Sequence, residues 1–348
     1  MSEKVLLGMS GGVDSSVAAI ILKNKGYDVI GITLTLFCEK NKENKAAIEA
    51  KSVCDFLQIP HYEINFEDAF KKQVIDDFIT QYKNCRTPNP CIECNKYLKF
   101  GLMYEKAKEL GCQYIATGHY AKTEYSDEYK TYVIKKSNAG KKDQSYVLYN
   151  IDRTIIDKII FPLGEFNNKD EIRKIANEYN IPTANKPDSE DICFVPNGDY
   201  KDFLEKNSDI KSVEGNIVDR NGNILGKHLG LYRYTIGQRK GLGISNKVPL
   251  FVVGFNKERN ELIVDEEKGL YRNEFLVSDV NMLVPFELNK ELDVNVKIRY
   301  LTNESKGKII RENEFIKVIT DEPQKAITPG QSAVFYIKDV VIGGGKII

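Results

Sequence analysis

The chain contains 348 residues, more than one ordinary hydrophobic core accommodates, and we therefore expect two or three domains. Its 50 basic residues balance its 50 acidic residues, which excludes recruitment of a nucleic acid by net charge and requires local basic patches for such a partner. No apolar stretch is long enough to span a bilayer, and a motif at residue 10 leaves no room for a signal peptide, so we expect a cytoplasmic protein without membrane contact.

The first half of the chain alternates strand and helix patterns. We predict strands over residues 5–8, 29–36, 61–65 and 114–116, and helices over residues 14–25, 46–57, 67–82, 97–110 and 170–179. Strands separated by helices indicate a parallel sheet covered on both faces. In such a sheet, ligands bind at the carboxyl ends of the strands.

A glycine-rich turn, Ser-Gly-Gly-Val-Asp-Ser at residues 10–15, connects the first predicted strand to the first predicted helix. Its backbone N–H groups and the positive end of the helix would hold an anionic phosphate chain. Gly11 and Gly12 allow backbone conformations that a side chain would block, and Asp14 is a candidate Mg²⁺ ligand. The Gly-Lys-Ser/Thr ending of a Walker A loop is missing, which argues against γ-phosphate cleavage. A turn that merely caps the helix is the alternative.

The seven cysteines form an odd number, which indicates catalysis or metal binding rather than a disulfide scaffold. Cys91 and Cys94 form a C-x-x-C pair in the proline-containing stretch 87–95, which we predict to be a loop that opens onto a helix. The helix N-terminus, together with Lys96 and Lys99, is expected to lower the thiol pKa.

Cys193 lies in a polar, proline-bounded loop at residues 186–196. Alone, such a cysteine is usually an inert core residue, but beside a phosphate loop and a C-x-x-C pair it is a candidate sulfur carrier, because a persulfide is a strong sulfur donor. A zinc knuckle built on Cys85 and the C-x-x-C pair stays open, although a second C-x-x-C or a histidine pair is missing. The other cysteines are predicted to be buried residues without a chemical role: Cys38, Cys54 and Cys112.

After about residue 203 the pattern changes from helices to strands. We predict two hairpins, the first with an Asn-Gly turn, followed by short strands over residues 275–348 that indicate a small β-barrel. The hairpin strands are residues 216–218 with 224–225, and residues 251–255 with 261–265.

Eight segments, in order and with matching spacing, resemble the tRNA-specific 2-thiouridylase family, a branch of the ATP-pyrophosphatase superfamily. They are residues 8–15, 87–95, 116–120, 142–146, 188–194, 235–239, 299–300 and 329–331. The resemblance implies an α/β parallel-sheet N-terminal domain of the Rossmann-type, adenine-nucleotide α-hydrolase-like class, then a small central domain and a C-terminal β-barrel that binds tRNA. We place these domains at residues 1–205, 206–270 and 271–348.

The resemblance also implies a reaction. ATP, with Mg²⁺, adenylates the C2 oxygen of the wobble uridine in the anticodon loop of tRNA, and pyrophosphate leaves. Sulfur then arrives as a cysteine persulfide, AMP departs and 2-thiouridine remains. A separate sulfur-donor or persulfide-carrier protein is implied as a partner.

Carried over by position, the resemblance implies that Cys94 is the catalytic nucleophile and Cys193 the persulfide carrier. It implies that ATP is bound by Gly8, Met9, Ser10, Gly11, Gly12, Val13, Asp14, Ser15, Leu34 and Gly118. It implies that tRNA is contacted by Asn89, Pro90, Cys91, His119, Lys142, Asp143, Gln144, Arg299, Tyr300 and Gln331.

The acid–base chemistry and the route of the sulfur stay open. Where this chain has Cys91, part of the family has an aspartate suited to act as acid or base beside the uridine. The thiols of Cys91, Cys94 and Cys193 would also suit a [4Fe–4S] cluster with one open iron, in place of a persulfide relay. Two other function classes are alternatives: a ligase or amidotransferase of the same superfamily that uses an amine nucleophile, and a non-catalytic metal- and RNA-binding module.

Overall fold

The computed structural model describes residues 2–37, 44–184, 186, 192–195, 198–285 and 291–348. Its N-terminal part contains the predicted parallel sheet. The strands of this part are β1 Lys4–Gly8, β2 Asp28–Thr35, β3 His61–Asn65, β4 Tyr114–Ala116, β5 Ala121–Ser126, β6 Thr131–Lys136 and β7 Ile159–Ile160. Five of them form the sheet in the order β3-β2-β1-β4-β7, and every pairing in it is parallel.

Alternate residues of β1 belong to two different hydrophobic cores. Leu6 packs into one core with Met103, whereas Val5 and Leu7 pack into the other with Ala18. Both faces of the sheet are therefore covered, which is the packing that parallel strands require.

The helices are α1 Val13–Asn24, α2 Lys45–Leu57, α3 Glu67–Phe70, α4 Asp76–Lys83, α5 Pro90–Cys94, α6 Met103–Glu109, α7 Lys169–Glu178 and α8 Tyr200–Asn207. Two π-helical segments, Lys71–Ile75 and Asn95–Leu102, join α3 to α4 and α5 to α6. The loop that we predicted at residues 87–95 is confirmed only for residues 87–89, because residues 90–94, with the C-x-x-C pair, form α5. Pro90 fits the first helical position and the Asn89 side chain caps it, so the helix starts earlier than predicted. We predicted no helix at the position of α8.

The central part is a four-stranded sheet with the order β10-β11-β8-β9. Its strands are β8 Gly215–Val218, β9 Ile224–His228, β10 Phe251–Asn256 and β11 Glu261–Asp265. The antiparallel pairings of β8 with β9 and of β10 with β11 confirm both predicted hairpins.

The C-terminal part is a closed six-stranded barrel, as predicted. Its strands are β12 Tyr271–Met282, β13 Leu292–Lys297, β14 Ser305–Glu312, β15 Phe315–Lys325, β16 Ser332–Ile337 and β17 Val340–Ile347. The pairing of β12 with β17 closes the ring, and an apolar core that includes Val296, Val318 and Phe335 fills it. Within the described ranges, no helix is both long and apolar enough to cross a membrane.

The hairpin of β5 and β6 joins the first part of the chain to the barrel. It is antiparallel, and β6 pairs with β17 at Lys135 and Val340. We predicted no strand at β5 or β6. The hairpin brings the barrel against the parallel-sheet domain. The domain boundaries 1–205, 206–270 and 271–348 stay our proposal.

Candidate active site

The glycine-rich turn lies where predicted, between the carboxyl end of β1 and the start of α1. Gly11 has a φ of +69°, a conformation that favours glycine. A Cβ at Gly11 would lie 2.9 Å from the Ala46 carbonyl oxygen and 2.9 Å from the Glu49 Cβ. The turn is thus packed against α2 so closely that only glycine fits at this position.

Hydroxyl groups hold the turn in shape from within. The Ser10 backbone N–H donates to the Ser15 hydroxyl over 3.2 Å, and the Ser15 hydroxyl donates to the Gly12 carbonyl over 3.0 Å. The Thr33 hydroxyl on β2 donates to the Met9 carbonyl over 2.9 Å. These bonds shape the turn before any ligand binds.

Two further predicted nucleotide contacts lie at the same edge of the sheet. Gly118 follows β4, and a Cβ there would lie 3.1 Å from both the Asp14 carbonyl carbon and the Ser15 nitrogen. Leu34, near the carboxyl end of β2, is partly buried against the core. The structure therefore gathers the turn, Leu34 and Gly118 at the carboxyl ends of three neighbouring strands, the position at which open parallel sheets bind ligands.

Asp14 has two partners that sequence reasoning missed. Its carboxylate accepts a hydrogen bond from the Tyr120 hydroxyl over 2.8 Å, and its other oxygen lies 3.1 Å from the Lys169 ammonium. Lys169 opens α7, more than a hundred residues further along the chain, and only 12% of its side chain is exposed. Nothing local in the sequence indicates this contact, because it arises from the packing of α7 against α1.

We expect the Lys169→Ala variant to bind ATP about tenfold more weakly than the wild-type protein. The substitution removes a partly desolvated positive charge beside the glycine-rich turn of residues 10–15, called the phosphate turn below. Charge-assisted contacts contribute roughly 1.5–3 kcal/mol. Equilibrium binding of a fluorescent ATP analogue measures the change. Lys174→Ala on the same helix, where the side chain is exposed, is the matched control. Equal affinity in the two variants would remove Lys169 from the nucleotide site.

The C-x-x-C pair occupies the first turn of α5. The Asn89 side chain accepts a hydrogen bond from the Cys91 backbone N–H over 3.2 Å, which fixes the start of the helix. Cys91 is exposed, whereas Cys94 points into the core and is only 7% exposed. The two cysteines therefore lie in different environments although they are three positions apart.

Cys193 approaches this pair from a distant part of the chain. It is exposed, but its neighbour Phe194 packs into the same hydrophobic cluster as Cys94, against Phe70 and Phe78. Cys193 is close enough for its charge to act on the Cys94 thiol. The structure thus brings the two predicted sulfur-handling cysteines into one neighbourhood.

The predicted low thiol pKa is wrong for Cys94. Burial raises its pKa to about 12, and the nearby Lys99 ammonium, which acts in the predicted direction, does not offset this. Helix α5 turns the Cys94 side chain into the core. The loss of water there raises the thiol pKa by more than the partial charge of the helix N-terminus lowers it.

The positive charge of Lys99 acts on Cys94 and also on His119, which follows β4 at the carboxyl edge of the parallel sheet. Burial and the Lys99 charge lower the pKa of His119 well below its usual value, so the imidazole is neutral. Its Nδ1 lies 2.8 Å from the Thr117 hydroxyl, and Gly118, the next residue, lies against the phosphate turn. The Lys99 charge therefore acts on both Cys94 and His119, which follows Gly118 in the chain.

The metal alternatives find no support in the described part of the chain. No three histidine, cysteine, aspartate or glutamate side chains among those residues are close enough to hold a metal ion. This covers the zinc knuckle with Cys85 and the cluster on Cys91, Cys94 and Cys193. Cys54 and Cys112 are buried as predicted, while Cys38 and residues 188–191 of the Cys193 motif lie outside the described residues.

Several predicted tRNA contacts use their side chains inside the protein. The Asp143 carboxylate accepts from the Ser137 backbone N–H over 2.8 Å and from the Ser145 hydroxyl over 2.6 Å. The Gln144 side chain accepts from the Tyr120 backbone N–H over 2.9 Å. These side chains hold the backbone around residues 120 and 137, and their contact with tRNA stays a prediction.

The contacts predicted on the barrel also face inward. Arg299 donates to the carbonyl of Ala326 over 3.0 Å and to that of Ile236 in the central sheet over 3.3 Å. Gln331 donates to the Thr87 carbonyl over 2.7 Å. Tyr300 is half-buried, and its pKa is raised by burial and by the Asp143 and Cys91 charges, which places it near the C-x-x-C pair. Pro90 is buried and Lys142 is exposed.

Comparisons with known proteins agree with this arrangement of parts. Three family models match in order: "tRNA methyl transferase HUP domain" at residues 3–197, "tRNA methyl transferase PRC-barrel domain" at residues 201–266 and "Aminomethyltransferase beta-barrel domain" at residues 272–347. The first of these covers the phosphate turn and the three cysteines of the site. Among solved structures, an NMN synthetase from Francisella tularensis matches 54% of this chain and 67% of its own at 16% identity and a TM-score of 0.34, too distant to bear on function.

Curated relatives match over the full length of the chain. The tRNA-specific 2-thiouridylase MnmA of Caldicellulosiruptor saccharolyticus is 47% identical, covering 100% of this chain and 99% of the relative. The protein of the same name from Clostridioides difficile is 46% identical, covering 100% of this chain and 98% of the relative. The chain therefore belongs to the tRNA-specific 2-thiouridylase family.

Proposed function

We propose that this protein is an ATP-dependent tRNA-uridine 2-sulfurtransferase that makes 2-thiouridine at the wobble position. The observation that carries the proposal is the approach of Cys193 to Cys94, in the part of the chain that also contains the glycine-rich turn at the carboxyl end of β1. A ligase with an amine nucleophile has no use for two thiols at that place. Family membership over the whole chain supports the same conclusion.

The first step we propose is adenylation of the uridine C2 oxygen. The oxygen attacks the α-phosphorus of ATP, the bond between the α and β phosphates breaks, and pyrophosphate leaves. Residues 8–15 hold the phosphate chain, with Leu34 and Gly118 beside the nucleotide. Mg²⁺ is suited to the phosphate oxygens, and the Asp14 carboxylate, which Lys169 already neutralises in part, would be its protein ligand here.

The second step is sulfur transfer by a persulfide relay. The terminal sulfur of a Cys193 persulfide attacks C2, AMP leaves, and the base is joined to Cys193 through a disulfide bond. The Cys94 thiolate attacks the Cys193 sulfur, so a Cys94–Cys193 disulfide forms and 2-thiouridine is released. A thiol reductant must then reduce the disulfide, and a persulfide-donor protein must reload Cys193.

The uridine has to leave the anticodon stack before either step, because its C2 oxygen is not accessible within the loop. We propose that Asn89, Pro90 and Cys91 meet the extruded base and that the other tRNA positions surround it: His119, Lys142, Asp143, Gln144, Arg299, Tyr300 and Gln331. An acid–base role for Cys91 stays open. A cytoplasmic location belongs to the same proposal.

Mass analysis of nucleosides from tRNA incubated with the persulfide-loaded protein, ATP and Mg²⁺ tests the function directly. We expect 2-thiouridine at the wobble position and one AMP for each modified base. Omission of ATP is the control. AMP formation with incorporation of an amine would favour the ligase class, and tRNA binding without any AMP would favour the non-catalytic module.

Replacing Lys142 with alanine is expected to weaken tRNA binding by a few-fold and to reduce its salt dependence by about one counterion. The side chain is exposed, so it is accessible to a phosphate of bound tRNA. Binding isotherms at several salt concentrations measure both quantities. Lys306→Ala, an exposed lysine on β14, is the control. An unchanged salt slope in Lys142→Ala would withdraw this residue from the interface.

A further inference from the structure

A buried ion pair connects the C-x-x-C turn to the last strand of the barrel. Glu93 lies between the two cysteines, directly before Cys94, and its side chain is only 8% exposed. Its carboxylate lies 3.0 Å from the ammonium of Lys346 in β17. A charged side chain this deep needs a partner, because transfer of an unpaired carboxylate out of water is costly.

The barrel holds the stretch before the C-x-x-C pair as well. The Thr87 backbone N–H donates to the Pro329 carbonyl over 2.9 Å, and the Gln331 side chain donates back to the Thr87 carbonyl over 2.7 Å. A Cβ at Gly330 would lie 2.8 Å from the Arg86 Cβ. The segment that enters α5 is thus fixed to the turn that precedes β16, while α5 itself is fixed to β17.

These anchors all belong to the region where the barrel closes. In β17, Lys346 is paired with Ser278 of β12 on one side and with Ser332 of β16 on the other. Lys346 has a second acid nearby, since Asp77 of α4 lies 3.8 Å from its ammonium. Burial acts against the charge of Lys346, but Glu93 and Asp77 outweigh it and raise the pKa of the lysine.

We propose that Lys346 is a positioning residue for Cys94, which acts through Glu93 and sets the nucleophile relative to the barrel. The inference rests on the proposed function in one respect, namely that Cys94 performs the resolving attack. Glu93 and Cys94 share a peptide bond, so a displaced Glu93 carries Cys94 with it. A displacement near 1 Å lowers the rate of an aligned reaction by up to about 100-fold.

The Lys346→Met variant tests this positioning role. Glu93 loses the only ion-pair partner it has among the described residues, and α5 shifts to bring the carboxylate toward water. We expect single-turnover sulfur transfer to fall by about 10- to 100-fold, while ATP and tRNA affinities stay within about twofold. We also expect alkylation of Cys94 by iodoacetamide, read by peptide mass spectrometry, to become several-fold faster, because burial no longer raises its pKa as far.

Unchanged ATP and tRNA affinities, together with faster alkylation and slower transfer, distinguish positioning from a general loss of structure, which would lower the affinities as well. Lys346→Arg keeps the charge and should restore both rates. Glu93→Gln is the second variant, in which Lys346 retains Asp77 as a partner, and it should show the same two changes at smaller size without depending on a buried unpaired carboxylate.

Lys308→Met is the matched control, because it breaks another lysine–glutamate pair of the barrel, with Glu291 at 3.1 Å, in which both side chains are exposed. It should leave both rates unchanged. Wild-type alkylation and transfer rates in folded Lys346→Met and Glu93→Gln would overturn the proposal. Absence of 2-thiouridine with the wild-type protein would instead contradict the proposed function, and the alkylation comparison would still decide the position of Cys94.

Discussion

Replacing either Cys94 or Cys193 with serine is expected to reduce 2-thiouridine formation by roughly 10³-fold or more in the absence of added thiol. A serine hydroxyl forms neither a persulfide nor a disulfide, so each variant lacks one of the two sulfur atoms that the relay uses. ATP binding should survive in both, because the phosphate turn is held by its own hydroxyl groups and by α2. Nucleoside mass analysis and nucleotide binding measure the two properties.

The two variants should stop at different points, and this separates the roles of the thiols. With persulfide-loaded protein, Cys94→Ser should accumulate tRNA joined to Cys193 through a disulfide bond that dithiothreitol releases. Cys193→Ser should release pyrophosphate, stop at the adenylated uridine and form no such adduct. Cys112→Ser is the control, since this buried cysteine lies between α6 and the start of β4, at the opposite end of β4 from Gly118. Wild-type turnover in both serine variants would favour the amine-using ligase class.

The parts of the fold that could be predicted depend on local signals. The phosphate turn required glycine at Gly11 because of its left-handed backbone, and that requirement is visible in the sequence. Alternation of strands and helices gave the parallel sheet, and an Asn-Gly turn gave the first hairpin of the central part. Each of these features is decided within a few residues, so the sequence alone indicates it.

The errors concern features that tertiary packing decides. The β5–β6 hairpin is stabilised by its attachment to β17, two hundred residues away, and its own residues do not distinguish it from charged surface. The pKa of Cys94 depends on which side of a five-residue helix faces the core. Lys169 reaches Asp14 only because α7 packs beside α1. No local pattern contains this information, and the charge-based prediction for Cys94 therefore had the wrong sign.

The positions predicted to contact tRNA illustrate a related difficulty. Arg299 and Gln331 have residue types typical of RNA contacts, yet each donates hydrogen bonds to backbone carbonyls of the protein. A family resemblance identifies such positions without separating direct contact from support of the surface. Both kinds of role are compatible with the resemblance, so only binding measurements on variants assign them.

Raising the pH is expected to accelerate alkylation of Cys94 in the free protein by about tenfold per pH unit between pH 7 and pH 10. Burial raises the pKa of this thiol to about 12, so the reactive thiolate is a minor species throughout that range and its fraction grows with pH. Iodoacetamide labelling followed by peptide mass spectrometry measures the rate at each pH. Cys54, whose pKa burial also raises to about 12, is the internal control and should show the same slope.

A plateau for Cys94 above pH 8, with Cys54 still rising, would show that Lys99 outweighs burial and that the thiol is already activated. A thiol with a pKa of about 12 is a slow nucleophile at neutral pH, because little of it is thiolate. In the proposed relay, where Cys94 makes the resolving attack, we therefore expect bound tRNA to lower the Cys94 pKa, either by admitting water or by bringing Lys99 closer. Single-turnover transfer should accordingly depend on pH much less steeply than alkylation of the free protein, and equal slopes would mean that tRNA leaves the environment of Cys94 unchanged.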